Sequence, residues 1–329
     1  MTTPSGTASG ASATKPLVTV VCPVFNEETT VPLFYGRLAP AIATIEDRVR
    51  FEILFVDNRS TDGTMDAIAA LQEKDPRVNV IRLSRNYGYQ ASISAGMGNA
   101  RGDAIVNIDV DCEDPPEMIP RFVGRWLDGA DVAYGIRDKR EEFFLMHWGR
   151  KLFYRIMRKI ADHEIVLDMA EFFLVDKRVR DHVLTTRSTF PFVRGQVGYV
   201  GFRREGIPYK RERRIGGTTH YNLVGAARFG IGGALTSSTM PLRALAYVGV
   251  IGFLTDLVLA IVVLACGSCW GLTLIWRIGL ALALVNTGWI ILAFGALALY
   301  VARIYKDTLG LPLYVVDEKS SAVRNLPTP

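Results

Sequence analysis

Two apolar runs near the carboxyl end constrain this chain more than any other feature. Ala244–Ala265 is interrupted by one charged residue, Asp256, and Ile278–Ala302 carries no charge at all. Each exceeds the roughly 20 residues needed to cross the hydrocarbon core of a bilayer. The intervening segment, Cys266–Arg277, is short, so the runs predict an antiparallel transmembrane hairpin with both flanks on one side. Arg228 and Arg243 precede the first run; Arg303 and Lys306 follow the second. Positive flanks stay in the cytoplasm, which predicts that both termini lie there. Asp256 and Asn286 are costly at membrane depth, and helix association in a homo-oligomer would satisfy them.

Composition agrees with a chain of two characters. Of 329 residues 49% are hydrophobic and 22% are charged, with a mean hydropathy of +0.19. These values exclude a disordered chain, a collagen and a disulfide scaffold. The net charge of +5 is mild for a nucleic-acid binder, and no aromatic-basic motif supports that class. It suits an anionic membrane surface or a phosphorylated substrate. Cys22, Cys112, Cys266 and Cys269 are scattered without paired histidines, so no zinc site is expected. The lone C-x-x-C at Cys266 and Cys269 reads as a tight apolar loop.

Residues 1–15 have the composition of a disordered tail and lack the pattern of a signal peptide. From 16 to 222 the pattern is α/β. Leu17–Cys22, Phe51–Val56, Val78–Leu83 and Ala104–Ile108 read as strands. Val31–Ile45, Met65–Lys74 and Gln90–Ala100 have helical spacing. Such alternation means βαβ units and a mostly parallel sheet. Residues 223–242 suit an amphipathic juxtamembrane segment or a packed helix of the soluble domain. Residues 243–302 hold the two spans. Residues 303–329 form a cytoplasmic tail, in which Leu313–Val316 is a candidate strand folding back on the soluble domain.

Polar residues follow the strands: Asn26 and Glu27, Asp57 and Asn58, Asp109 and Asp111. In an open α/β sheet these gather at one rim, where ligands bind. The densest cluster is Asp109-Val110-Asp111-Cys112-Glu113-Asp114. Two carboxylates two residues apart at a strand end can share one hard cation, Mg²⁺ or Mn²⁺, that keeps positions for a substrate diphosphate. Glu113 is a candidate third oxygen ligand. The basic run Lys210, Arg211, Arg213 and Arg214 falls shortly before the presumed interface. A lipid phosphate rises only a short way above a bilayer, so Arg211 and Arg214 are candidates to bind it, their planar forks matching phosphate oxygens.

These clusters, in this order, resemble the family 2 glycosyltransferases of GT-A fold, and most closely the polyprenyl-phosphate glycosyltransferases of two-span bacterial form. The resemblance rests on V-C-P-V-F-N-E-E (21–28), F-V-D-N-R-S-T-D-G-T (55–64), L-S-R-N-Y-G (83–88), D-V-D-C-E-D-P-P-E (109–117), Y-G-I-R (134–137), P-L-R (241–243), R-I-Y-K-D (303–307) and the L-P-L-Y-V-V tail (311–316). It implies a Rossmann-like GT-A catalytic domain plus a two-helix membrane hairpin, located in the bacterial cytoplasmic membrane and assembled as a homo-oligomer, with a tetramer favoured. It implies inverting transfer from a UDP- or GDP-sugar to a polyprenyl phosphate. Pro23, Phe25, Glu27 and Asp57 would hold the nucleoside. Asp109, Asp111 and Glu113 would hold the metal and diphosphate. Arg85 would lie near the donor and Arg137 on the diphosphate. A processive polysaccharide synthase and an inactive membrane scaffold are the competing readings.

The sequence departs from that pattern in four places. Asp57-Asn58-Arg59 stands for Asp-Asp-Gly, and Glu113 for a common Gln. Met169-Ala170-Glu171-Phe172-Phe173 stands for Gly-Asp-Phe-Arg, and Gly217-Thr218-Thr219-His220-Tyr221 for Gly-Glu-Ser-Lys-Tyr. Glu171 is expected to orient a sugar hydroxyl or the acceptor. The changes at Glu171, Phe173 and His220 point to a different donor sugar or phosphate geometry.

Overall fold

The computed structural model describes residues 15–137, 169–185, 191–215, 240–266 and 272–323. Residues 1–14 of the expected disordered tail, the juxtamembrane segment up to residue 239, His220 and Cys269 lie outside the described residues.

The strands are β1 (Leu17–Val24), β2 (Arg50–Asp57), β3 (Val78–Arg82), β4 (Ala104–Asn107), β5 (Val132–Arg137), β6 (Met169–Asp176) and β7 (Arg204–Tyr209). Among the described residues they form one sheet in the order β3-β2-β1-β4-β6-β5-β7. β1 pairs in parallel with β2 and β4, β2 with β3, and β5 with β7. β6 runs antiparallel to both its neighbours. The four strands expected from the sequence are the parallel half. β1 is buried along its whole length, as a strand covered on both faces must be, and so reads as a continuous apolar run.

Helices cover both faces. α1 (Thr30–Ala43), α2 (Thr64–Lys74) and α4 (Ile119–Leu127) pack on one; α3 (Tyr89–Asn99), α5 (Lys177–Leu184) and α6 (Val193–Tyr199) pack on the other. Phe34, Ile68 and Phe122 fill the first core, and Ile93, Met97 and Val197 the second. β6 divides its side chains between them: Phe172 joins the first core and Phe173 the second. Gly96 lets α3 approach the sheet, because a Cβ there would stand 2.1 Å from Val21. The start of α3 is thereby held against the rim where β1 and β4 end. The chain leaves β1 toward β2 on one side and reaches β4 on the other, so a crevice opens at this switch point.

Two long helices follow, α7 (Met240–Cys266) and α8 (Leu272–Thr308), and they touch each other. Among the described residues, one stretch, Val285–Thr308, is long and apolar enough to cross a membrane, and Leu245–Thr255 is a shorter apolar stretch. The apolar side chains of α8, among them Trp289, Ile291 and Phe294, are exposed. Apolar surface of this extent marks a membrane-associated protein. Beyond α8, Gly310 takes a positive φ of 63° and turns the chain out of the helix. The tail then returns to the sheet: Val316 bridges Leu83 and Ala322 bridges Val80, both antiparallel. This covers the edge strand β3; the tail folds back as expected, but through isolated bridges at Val316 and Ala322 and not as the strand expected over Leu313–Val316.

Candidate active site

Three loops form the rim. Asn26 after β1, Arg59 after β2 and Cys112 after β4 have φ of 55°, 68° and 55°, and among the described residues these are the non-glycine residues with positive φ. Such backbone is costly and gathers at functional sites. The loops hold one another. Asn26 donates its amide to Ser60 Oγ at 3.0 Å and accepts from the Thr61 amide at 2.9 Å. Asp57, fully buried, accepts from the Ser60 amide at 3.0 Å, with Arg82 Nε 3.0 Å from its other oxygen.

Beside these loops lies a cavity of about 670 Å³. Pro23, Phe25 and Asn58 line it, with Asp109, Asp111 and Glu113 on the acidic wall and Arg211 and Arg214 facing them. The Asp109 carboxyl accepts from the Tyr89 hydroxyl at 2.8 Å. Burial, and then repulsion from Asp111, pushes its pKa up to about 8. Asp111 caps its own loop by accepting from the Glu113 amide at 3.0 Å. Cys22 and Cys112 are buried, and burial raises both thiols, so neither is an activated nucleophile.

The basic run folds onto the acidic loop as a strap. The Glu212 amide donates to the Glu113 carbonyl at 2.9 Å, and the Ile215 amide to the Asp111 carbonyl at 3.2 Å. Arg211 pairs with Glu113, while Arg214 pairs with Glu27 at 2.5 Å and stands 3.9 Å from Asp111. Arg37 secures the strap from outside, bonded at 2.8 Å to both Glu117 and Glu212. Glu171, at the start of β6, faces the same cavity. It accepts from Gln90 at 3.3 Å and stands 3.8 Å from Arg194 of α6. Its second oxygen, Oε2, is buried with no partner among the described residues, and burial raises its pKa.

Of the residues expected from the sequence, Pro23, Phe25, Glu27, Asp109, Asp111, Glu113, Glu171, Arg211 and Arg214 line the cavity. Asp57 lies beneath the loop and does not line it. Arg85 stacks its guanidinium 4.0 Å over the Tyr87 ring, away from the lining. Arg137, expected on the diphosphate, instead pairs with Asp114 at 2.9 Å and bonds the Tyr209 hydroxyl at 3.1 Å. Asp114 is 2% exposed, and a carboxylate so deeply buried requires a counter-charge. Phe173 is a core residue, so its departure does not alter the cavity wall directly. Asp109, Asp111 and Glu113 do not converge into a three-ligand cluster among the described residues; they turn to Tyr89, the loop amide and Arg211. The donors nevertheless suit a hard cation: they are all carboxylates, Asp109 is crowded by Asp111, and Glu27 Oε2 is buried with no partner among the described residues.

Asn58 at the β2 rim and Asn86 of the 83–88 motif also line the cavity, as the sequence leads one to expect; sequence reading missed Tyr89, Ser92 and Arg194, which join them. Tyr89 and Ser92 carried a signal: they are three apart at the start of a helix, directly after Gly88, whose φ is 89°. Arg194 carried none, because nothing in the spacing around it points to the rim.

The family model described as Glycosyl transferase family 2 matches residues 19–184, half of the chain and most of the sheet and cavity. The chain belongs to glycosyl transferase family 2. It is 34% identical over 308 residues to the glycosyltransferase YkcC of Bacillus subtilis, covering 93% of this chain and 94% of that one. It is 28% identical over 310 residues to the bactoprenol glucosyl transferase of Shigella phage SfX, covering 92% and 99%. The solved mannosyltransferase PcManGT from Pyrobaculum calidifontis, in complex with GDP-Man and Mn²⁺, superposes with a TM-score of 0.50 over 89% of this chain and 88% of that one, at 18% identity. This last likeness concerns the fold. As a family 2 glycosyltransferase the protein is an enzyme that transfers a sugar from a nucleotide-diphosphate donor, and it is related to the bactoprenol glucosyl transferases.

Proposed function

We propose that this enzyme transfers a hexose from a UDP- or GDP-sugar to the phosphate of a polyprenyl phosphate at the cytoplasmic face of the membrane. The observation that carries this reading is the near full-length likeness to the bactoprenol glucosyl transferase, which extends through the apolar carboxyl part as well as the catalytic domain. In this reading α7 and α8 form a two-span hairpin, the α/β domain and both termini lie in the cytoplasm, and the chain assembles as a homo-oligomer. The domain bounds follow: 16–222 catalytic, 223–242 juxtamembrane, 243–302 spanning and 303–329 tail.

Pro23, Phe25 and Asn58 hold the nucleoside. Asp109, Asp111 and Glu113 would hold Mg²⁺ or Mn²⁺, which supplies Lewis acidity to the leaving diphosphate. Arg211 and Arg214 neutralise the carboxylates when phosphates are absent. With donor and acceptor bound, their forks turn to phosphate oxygens, which they can hold bidentately. The nucleophile is an acceptor phosphate oxygen, already largely ionised near neutral pH because a phosphomonoester's second pKa is about 6. No strong general base is needed, and the rate comes from alignment and charge stabilisation. Glu171 Oε2 accepts a sugar hydroxyl and orients the ring, with Arg194 holding the carboxylate in place. A single in-line displacement inverts the anomeric centre, so an α-linked donor gives a β-linked lipid product.

The test is incubation of the membrane-embedded enzyme with a panel of UDP- and GDP-sugars, polyprenyl phosphate and Mn²⁺, with lipids read by mass spectrometry. One donor is expected to yield a polyprenyl-phosphate hexose. Absence of any sugar-bearing lipid across the panel overturns the reading.

A further inference from the structure

The tail beyond α8 grips the back of the two loops whose fronts line the cavity. The Ser84 amide donates to the Val315 carbonyl at 2.9 Å, and the Asp317 amide to the Arg82 carbonyl at 2.8 Å. The Arg82 amide donates to Ser321 Oγ at 2.9 Å. Arg82 continues the chain of contacts inward, donating from its guanidinium to the Ser60 carbonyl at 2.8 Å beside buried Asp57. Arg59, next to Ser60, reaches outward to Asp317 at 3.3 Å. On the cavity side, Asn58 donates to Asn86 at 3.0 Å and accepts from the Tyr87 amide at 2.9 Å. Both asparagines line the cavity. The loop 57–60 and the loop 83–88 are therefore locked together at the front by an asparagine pair and at the back by the tail.

Arg59 is the telling residue. Its φ of 68° is a backbone conformation that glycine adopts freely and that a side chain opposes. A residue with a Cβ is disfavoured there, and this side chain does one visible thing: it meets Asp317. The Asp317 carboxylate is itself held for that contact, accepting from Ser320 Oγ at 2.9 Å. Asp317 lies below the ordinary carboxylate range through the Ser320 bonds first.

We propose that Arg59 and Asp317 are positioning residues for the donor. The tail sets the separation of the two asparagine loops, and with it the fit of the nucleoside between them, without itself touching the ligand. This rests on the nucleotide-sugar reading above. It also means that the segment leaving the apolar helix α8 is wired to the donor end of the cavity and not to the acceptor end.

The test uses the full chain in neutral detergent and reads binding of UDP and of GDP, each with Mn²⁺, by calorimetry. Wild type, Arg59→Gly, Asp317→Ala and the double variant are compared. Each single variant is expected to weaken nucleotide binding about three- to fivefold, the modest effect of a solvent-exposed ion pair, and the double variant no more than either. Arg59→Gly is expected to keep or raise Tm, because glycine relieves the backbone, so loss of affinity there cannot be loss of fold. Donor KM should follow the affinity while acceptor KM stays, and Asp317→Glu should restore part of the loss. Wild-type affinity in both single variants overturns the proposal, as do losses that add in the double variant. If wild type binds neither UDP nor GDP, the nucleotide-sugar reading itself falls, and this proposal with it.

Discussion

The two ends of the sheet each bury a glutamate, and they treat it in opposite ways. At the amino ends of the strands Glu52, 1% exposed, accepts from Thr19 Oγ1 at 2.7 Å, Asn79 Nδ2 at 3.1 Å and Arg101 Nε at 2.8 Å. Its oxygens are saturated. At the opposite rim Glu171 has one long hydrogen bond, a distant arginine and an oxygen with no partner among the described residues. Asp109 beside it is pushed up to about 8. A buried carboxylate without full compensation is expensive. The contrast separates a carboxylate fixed by its neighbours from one left with incomplete partners, which the proposed function keeps for a ligand.

The largest effect should come from the saturated end. Glu52→Ala strips the buried Thr19 and Asn79 side chains of their acceptor, at about 1–3 kcal/mol for each unsatisfied group, and leaves the partly exposed Arg101 to solvent. Urea unfolding should show that loss, while the folded fraction binds nucleotide as before. A fall in nucleotide affinity with unchanged stability would erase the contrast.

At the rim the expected effects reverse. Asp111→Asn should lower product formation roughly 100–1000-fold, the scale of losing one strong electrostatic contact to a transition state, with little change in unfolding midpoint. Full activity in this variant, or in excess chelator, would remove the metal role from the acidic loop. Arg214→Ala, assayed in neutral detergent, should raise acceptor KM or lower kcat about 10- to 100-fold, as for a hydrogen bond to a charged group worth about 1.5–3 kcal/mol. Lysine should restore part of it, because it lacks the planar fork. Wild-type kinetics for Arg214→Ala would assign the strap to loop structure alone.

The smallest effect should be a gain. The Glu171 carboxyl has its pKa raised by burial, against the pull of Arg194. The folded state therefore binds its proton more tightly than the unfolded state. The stability this contributes is complete below the ordinary glutamate range and is lost as pH rises through the folded pKa. Glu171→Gln removes that dependence, so its Tm advantage over wild type should widen as pH rises through that range, while turnover falls. A Tm advantage that shrinks with rising pH would contradict the assignment.

The same contrast explains what the sequence made legible. β1, β2, β3 and β4 were readable because strands buried on both faces are nearly unbroken apolar runs ending at polar rim residues. β7 was not: Arg204–Tyr209 alternates exposure and includes Gly206 and Pro208. β6 carries Glu171 inside an otherwise apolar run, which hides it. The acidic loop could be read because its residues are adjacent. Its pairing with the basic strap could not, since Arg211 lies 98 residues from Glu113. The Arg137–Asp114 pair was not legible for the same reason: nothing local announces that Asp114 is buried.

The central claim is that the acceptor is a phosphate carried on a polyprenyl chain. It is tested most directly by offering the purified enzyme, in neutral detergent with Mn²⁺ and its preferred nucleotide sugar, either undecaprenyl phosphate or undecaprenol. The account predicts a sugar-bearing lipid from the phosphate and none from the alcohol. Equal transfer to both, or release of free sugar with no lipid product, would contradict it.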